Sequence, residues 1–229
     1  MRKVGRNGIP HVCIILGIVL LVSAPLTTFS QKEANGQRFI QITGGLGVSA
    51  HLNQSIANYI NALTYPSPDQ KVSDVSSASE FFVVPEIQVD DEWSVGLEYS
   101  YLLKSYSVET GFPWDFTYSA HLTTLFAHYL VPGDGYWLKF GGGIGYAFGN
   151  LREQFIQTGA EESSRASGPA LKIEGIGNTK FDEHFWGSIG LDLRWVFAGK
   201  FKGGVQSSAP APKLNFFSAG VKFGIMVQM

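Results

Sequence analysis

The chain has 229 residues, with 17 basic and 19 acidic side chains and a net charge of −2. That balance offers no basic surface for a nucleic-acid partner. Aromatic residues reach 14%, glycines number 27 and cysteine occurs once, which excludes an internal disulfide and points to an all-β chain.

In chain order, Arg2, Lys3 and Arg6 precede an apolar run from Val12 to Val22. The run is too short to cross a bilayer as a helix but suits the core of a secretory signal. Val22-Ser23-Ala24 has small residues for cleavage, but Pro25 would follow the cut and block the protease. Thr28-Phe29-Ser30 before Gln31 is the better site. We expect a signal peptide over 1–30 and a mature domain over 31–229. Cys13 leaves with the signal and lies too early in the apolar run for a lipid anchor. Loss of Arg2, Lys3 and Arg6 leaves 14 basic against 19 acidic residues, a net charge of −5. No segment after residue 30 is long and apolar enough for a transmembrane helix.

Eight segments then alternate with period two, as half-buried strands do. The first, about 38–50, sets Ile40, Ile42, Leu46 and Val48 against Gln41, Thr43 and Gly45. The second, about 80–90, sets Phe81, Val83, Ile87 and Val89 against Glu86, Gln88 and Asp90. The third, 93–105, sets Trp93, Val95, Leu97, Tyr99, Tyr101 and Leu103 against Ser94, Gly96, Glu98, Ser100 and Lys104. The fourth, about 116–131, sets Phe116, Tyr118, Ala120, Leu122 and Phe126 against Thr117, Ser119, His121 and Thr123.

The fifth, 136–148, sets Tyr136, Leu138, Phe140, Ile144, Tyr146 and Phe148 against Lys139, Gly141, Gly143, Gly145 and Ala147. The sixth, about 169–181, has Leu171, Ile173 and Phe181 opposing Lys172 and Glu174. The seventh, 185–198, has Phe185, Ile189, Leu191, Leu193, Trp195 and Phe197 opposing Ser188, Gly190, Asp192 and Arg194. The eighth is about 214–229.

Connections alternate in length. The stretches 51–79, 106–115, 149–168 and 199–213 are long or medium. Those around Asp90-Asp91-Glu92, Pro132-Gly133-Asp134-Gly135 and Asp182-Glu183-His184 are short. Tight turns at one end and longer loops at the other predict an eight-stranded antiparallel up-and-down transmembrane β-barrel, with termini on the periplasmic side. The interior of such a barrel is only wide enough for side chains. Volume therefore predicts the aromatic face outside, against lipid, and glycine, serine, alanine and paired charges inside. A soluble lipocalin-like barrel would reverse that pattern. Trp93, Tyr136 and Phe185 near the short turns, with Tyr118, Phe148 and Trp195 toward the long loops, predict two interfacial girdles.

The chain ends Lys222-Phe223-Gly224-Ile225-Met226-Val227-Gln228-Met229. Phe223, Ile225, Val227 and Met229 share one strand face. The ending resembles the C-terminal assembly signal of bacterial outer-membrane barrels, with Lys222, Gly224, Val227 and Met229 in its places. Met229 stands where that family usually carries an aromatic residue. Over 31–229 the pattern resembles the small eight-stranded outer-membrane barrels of the OmpX/OmpW type. The resemblance implies that fold, a bacterial outer-membrane location, and contact with outer-membrane lipid and the barrel-assembly machinery. It brings no active-site motif.

Nine charges are expected inside: Glu86, Glu98, Lys104, Lys139, Lys172, Glu174, Asp192, Arg194 and Lys222. Glu174–Arg194 and Lys172–Asp192 are the expected cross-strand pairs. Glu86 and Glu98 would share a cation, Lys139 or Lys104. Paired charges plug a barrel; the functional alternative is the lining of a narrow polar path. His121 is expected inside beside Ser119, but no third group completes a hydrolytic set. His51 and Ser55 are a weaker version of that pair, and His128 is expected near the periplasmic interface. The mature histidines are dispersed, and no carboxylate spacing suggests a metal. The glycines at 44–45 and 141–143 open no helix, and no phosphate-loop lysine follows them. In the first loop, Ile56, Tyr59, Ile60 and Leu63 fall on one face of a short helix that Asn53 could cap and Pro66 follow. That helix would pack on the rim, lid the mouth or dock a partner. Glu161 to Arg165 is expected to be a mobile loop.

The expected function is a non-enzymatic surface barrel without cofactor or metal, structural or acting through its loops on an envelope partner. The alternatives are a narrow porin-like channel for small or apolar solutes and an enzyme acting on outer-membrane lipid.

Overall fold

The computed structural model describes residues 40–64, 71–108, 114–203 and 211–229. The expected signal peptide at 1–30 and Pro66 lie outside the described residues. The strands are β1 (Ile40–Leu52), β2 (Val75–Gln88), β3 (Trp93–Val108), β4 (Trp114–Gly133), β5 (Tyr136–Phe155), β6 (Ala160–Lys180), β7 (Phe185–Lys200) and β8 (Lys213–Gln228). Among the described residues one helix, α1 (Gln54–Thr64), lies between β1 and β2. Neighbours in sequence pair antiparallel, and β8 returns to β1, so the sheet closes with no free edge.

Each short turn is fixed locally. Asp90 Oδ1 accepts the N–H groups of Glu92 and Trp93, at 2.9 and 2.7 Å, which bends the chain between β2 and β3. Gly135 takes φ +74° in the β4–β5 turn, a left-handed conformation that favours glycine.

The exterior is apolar over most of its circumference. Leu46, Phe81, Leu97, Leu125, Ile144, Leu191 and Ile225 all project outward and are exposed. Trp93, Tyr129, Tyr136 and Phe185 are exposed near the short-turn end. The Trp93 ring meets Tyr129 edge-on at 5.6 Å. Phe148 and Phe197 are exposed toward the other end, where Trp195 packs on Phe217 at 5.3 Å. A closed barrel wrapped in such a band is solvated by lipid rather than water.

Three features differ from the sequence expectation. β5 and β6 continue through 149–168 and pair rung by rung, leaving a turn of only four residues, Ile156 to Gly159. Glu161 to Arg165 is therefore strand, and Arg152 pairs with Glu161 across the hairpin. Likewise β2 begins at Val75, inside the expected 51–79 loop.

The third difference is the facing of β4. Phe116, Tyr118, Ala120, Leu122 and Phe126 point into the barrel, and Tyr118 leaves the expected girdle. Thr117, Ser119, His121 and Thr123 lie on the outer face. The reason is complementary volume. Phe126 lies opposite Gly96 on β3 and Gly143 on β5, and His128 lies opposite Gly141. A Cβ on Gly96 would meet the Phe126 ring at 2.4 Å, and one on Gly141 would meet the His128 ring at 2.6 Å. Glycines on the flanking strands open the trough that these large side chains fill.

Candidate functional site

The lumen is built in two layers. Toward the short turns it holds a network of charges. Glu86, Glu98, Lys139, Lys172, Glu174, Asp192, Arg194 and Lys222 are all buried there. Lys104 points inward nearer the mouth, half-buried, with its ammonium 5.0 Å from the Tyr106 ring centre. Among the described residues it makes no ion pair with the network. Glu80 and His128 complete the network; neither was expected in it.

Glu98 is the hub. Lys172 binds its Oε2, Lys222 reaches its two oxygens at 2.8 and 2.9 Å, and Arg194 Nη2 lies 3.3 Å from Oε1. Arg194 Nη2 also donates to Glu80 at 3.0 Å and to Asp192 at 2.7 Å. Lys172 pairs with Glu174 at 2.7 Å, one residue removed on its own strand face. Lys139 bridges Glu86 at 2.6 Å and Gln41 at 2.7 Å.

The expected pairs Glu174–Arg194 and Lys172–Asp192 do not form. The β6–β7 register puts Lys172 opposite Arg194 and Glu174 opposite Asp192, like against like. Each cation instead finds carboxylates along its own strand or across the lumen. Glu86 and Glu98 do not share a cation either. Lys139 serves Glu86, and β6, β7 and β8 serve Glu98.

His128 is fully buried between Glu86 and Glu174, rather than near the periplasmic interface. Its Nδ1 lies 3.2 Å from Glu86 and its Nε2 3.1 Å from Glu174. A carboxylate only accepts hydrogen bonds. Either the ring donates from both nitrogens as imidazolium, or one carboxyl carries the proton. The imidazolium would set five cations against five carboxylates. Beside Glu86, Glu98, Lys139, Glu174 and Lys222 a cavity of about 20 Å³ remains, room for one water or so.

Toward the long connections the lumen is apolar. Leu102, Phe116, Leu122, Leu151, Leu214 and Phe216 pack in one cluster with Ile56, Tyr59 and Ile60 of α1. Leu63 packs on its margin. Asn53 Oδ1 caps the helix by accepting the Ile56 N–H at 3.1 Å, and Ser55 Oγ accepts the Lys213 N–H at 2.7 Å. Tyr59 donates to both oxygens of Glu153, at 3.0 and 3.2 Å. Glu153 lies past the apolar band, and burial pushes its carboxyl above the usual range, aided by the neighbouring Glu162. The helix therefore sits within the barrel's own core and closes the mouth.

The histidine–serine pairs divide. His121 is on the outer face, with Nδ1 2.7 Å from the Tyr99 hydroxyl and its ring against Tyr101. His51 is buried and bonds Ser49 at 2.7 Å, not Ser55. Among the described residues, no three of His, Cys, Asp and Glu converge on a metal-sized site. At the C-terminus, Lys222 is buried in the network, Gly224 packs against β1, and Val227 and Met229 lie on the outer face.

No family model matches the sequence, and no curated protein does. Solved structures do match in shape. The outer-membrane protein OprG from Pseudomonas aeruginosa superposes with a TM-score of 0.54 at 12% identity, over 86% of this chain and 98% of that one. Neisserial surface protein A gives 0.53 at 8% identity, over 86% and 100%. Ail, the attachment invasion locus protein of Yersinia pestis, solved with the heparin analogue sucrose octasulfate, gives 0.50 at 11%, over 86% and 100%. This chain has the fold of the small eight-stranded outer-membrane β-barrels. With its lipid-facing band, that fold places it in the bacterial outer membrane.

Proposed function

We propose that this barrel is a non-enzymatic surface protein, structural in its lumen and interactive at its long-connection end. One observation carries the reading: the lumen is filled from end to end. A buried ion-paired network occupies one half, and an apolar core topped by α1 occupies the other. Solute passage requires breaking both. The end bearing α1 and the projecting β5–β6 hairpin is the outward one, because outer-membrane barrels carry short turns toward the periplasm and longer segments outside. It remains free to meet an envelope or surface partner, alongside the outer-membrane lipid and assembly machinery that every such barrel meets. Attachment, named for Ail, is a role of this class.

Liposome swelling tests the reading. Proteoliposomes should swell in small sugars or amino acids no faster than empty ones, and fast swelling favours the channel. Lipid profiles of cells with and without the protein should be the same. A lipid species that changes only when it is present favours the enzyme.

A further inference from the structure

The outer surface carries one acid-free basic facet. Lys200 pairs with Lys213 across the β7–β8 ladder, and Arg165 pairs with Lys202 across an isolated bridge. Directly paired residues project to the same side of a sheet. All four side chains are exposed, while Phe201, between Lys200 and Lys202, is buried in the core. Two like-charge pairs thus stand side by side on the outer face, about 7 Å apart along the strand. Like charges directly opposite are destabilising unless an anion joins them. No protein anion is near in sequence. The chain has no Asp or Glu from Leu193 to Met229, nor between Glu162 and Glu174. Among the described residues none of the four makes an ion pair. On β6 the nearest outward acid is Glu161, four residues from Arg165 and already paired with Arg152 across the hairpin.

The height of the facet identifies its partner. Phe197 precedes Lys200 by three residues on β7, and Trp195 packs on Phe217 beside it with the rings tilted. Aromatic girdles mark the headgroup level. The four cations lie just above that girdle, at the outward end, where headgroup phosphates lie. We propose that Arg165, Lys200, Lys202 and Lys213 form a binding site for the phosphate groups of an outer-leaflet glycolipid. The Lys200–Lys213 and Arg165–Lys202 pairs each offer donors to a phosphate, and the girdle packs the adjoining acyl chains.

The test uses the full barrel in zwitterionic detergent, with diphosphoryl lipid A as probe and native mass spectrometry as readout. The wild type should bind the diphosphoryl lipid and release it as salt rises. Its binding should fall at least about tenfold with the dephosphorylated lipid, and equally in the variant with Arg165, Lys200, Lys202 and Lys213 all changed to Gln. Lys180→Gln, at the short-turn end, should bind as wild type. Heat-dependent gel migration checks that each variant folds. Should the fourfold variant fail to fold, Lys200→Gln with Lys213→Gln, and Arg165→Gln with Lys202→Gln, each give a partial loss. Unchanged binding in folded variants overturns the proposal, as does an equal loss in Lys180→Gln. Inorganic phosphate that binds as tightly as the lipid overturns it too, since the ligand is then a free anion.

Discussion

Lys172 stands directly opposite Arg194 on the β6–β7 ladder, and both side chains are almost fully buried. Two buried cations side by side are tolerated because Glu98 reaches both from across the lumen, with Glu174 beside Lys172 and with Glu80 and Asp192 beside Arg194. Glu98→Gln should therefore cost about 3–5 kcal/mol, by leaving Lys172, Lys222 and Arg194 undercompensated. Urea denaturation of the folded barrel in detergent, read on gels, measures it. A variant as stable as wild type contradicts the hub.

Gly141→Val should be costly although it changes no polar group. The new Cβ would fall 2.0 Å from the Ala127 carbonyl oxygen and 2.6 Å from the His128 ring. Overpacking of this kind costs typically about 1–3 kcal/mol, and here the obstacle is backbone. Gly135→Ala, beside open space but at positive φ, separates backbone strain from crowding. The urea midpoint should fall for both, and further for Gly141→Val.

Leu191 faces lipid on β7 and is 62% exposed. Leu191→Arg should cost about 2–4 kcal/mol if the residue sits near the midplane. Equal folding of variant and wild type would show that the facing or depth of β7 is wrong.

Glu153, buried at the mouth beside Glu162, gives it a pH dependence of defined sign. Burial holds the Glu153 proton more tightly in the folded chain than in the unfolded one. Folding then takes up protons from the ordinary carboxylate range up to the raised value. The Glu153 contribution is favourable at the acid end of that window and is lost as pH rises through it. Wild-type stability minus that of Glu153→Gln should fall with rising pH there. A rise would contradict the assignment. Tyr59→Phe should cost about 1–3 kcal/mol above the window, where the hydrogen bond is to a charged group.

Much of this architecture was legible in the chain. Period-two alternation located all eight strands, because a half-buried strand must alternate. Ile56, Tyr59 and Ile60 at helical spacing located α1, and Asn53 its cap. The facing of β4 is not legible in its own alternation, because volume decides facing only with the neighbouring strands in register. Phe126 and His128 fit inside only because Gly96, Gly141 and Gly143 stand beside them, and that pairing depends on register. Register also hides the role of Glu80, the first residue of the second expected strand, and the true partners of Lys172 and Arg194. The hairpin at 149–168 was missed because Glu161, Glu162, Ser163 and Ser164 are poor strand formers, held in place by rung-by-rung pairing with β5.

Single-channel recording in planar bilayers tests the central claim most directly. Purified wild-type protein should give no large, steady, ion-selective currents, because the charge network and the apolar core each fill the lumen. The chain lacking residues 54–64 should stay closed as well, since the Glu80–Arg194–Glu98 layer remains below the mouth. Glu174→Ala should at most produce brief openings. Steady, ion-selective currents from the wild type would contradict a filled lumen and make this barrel a channel.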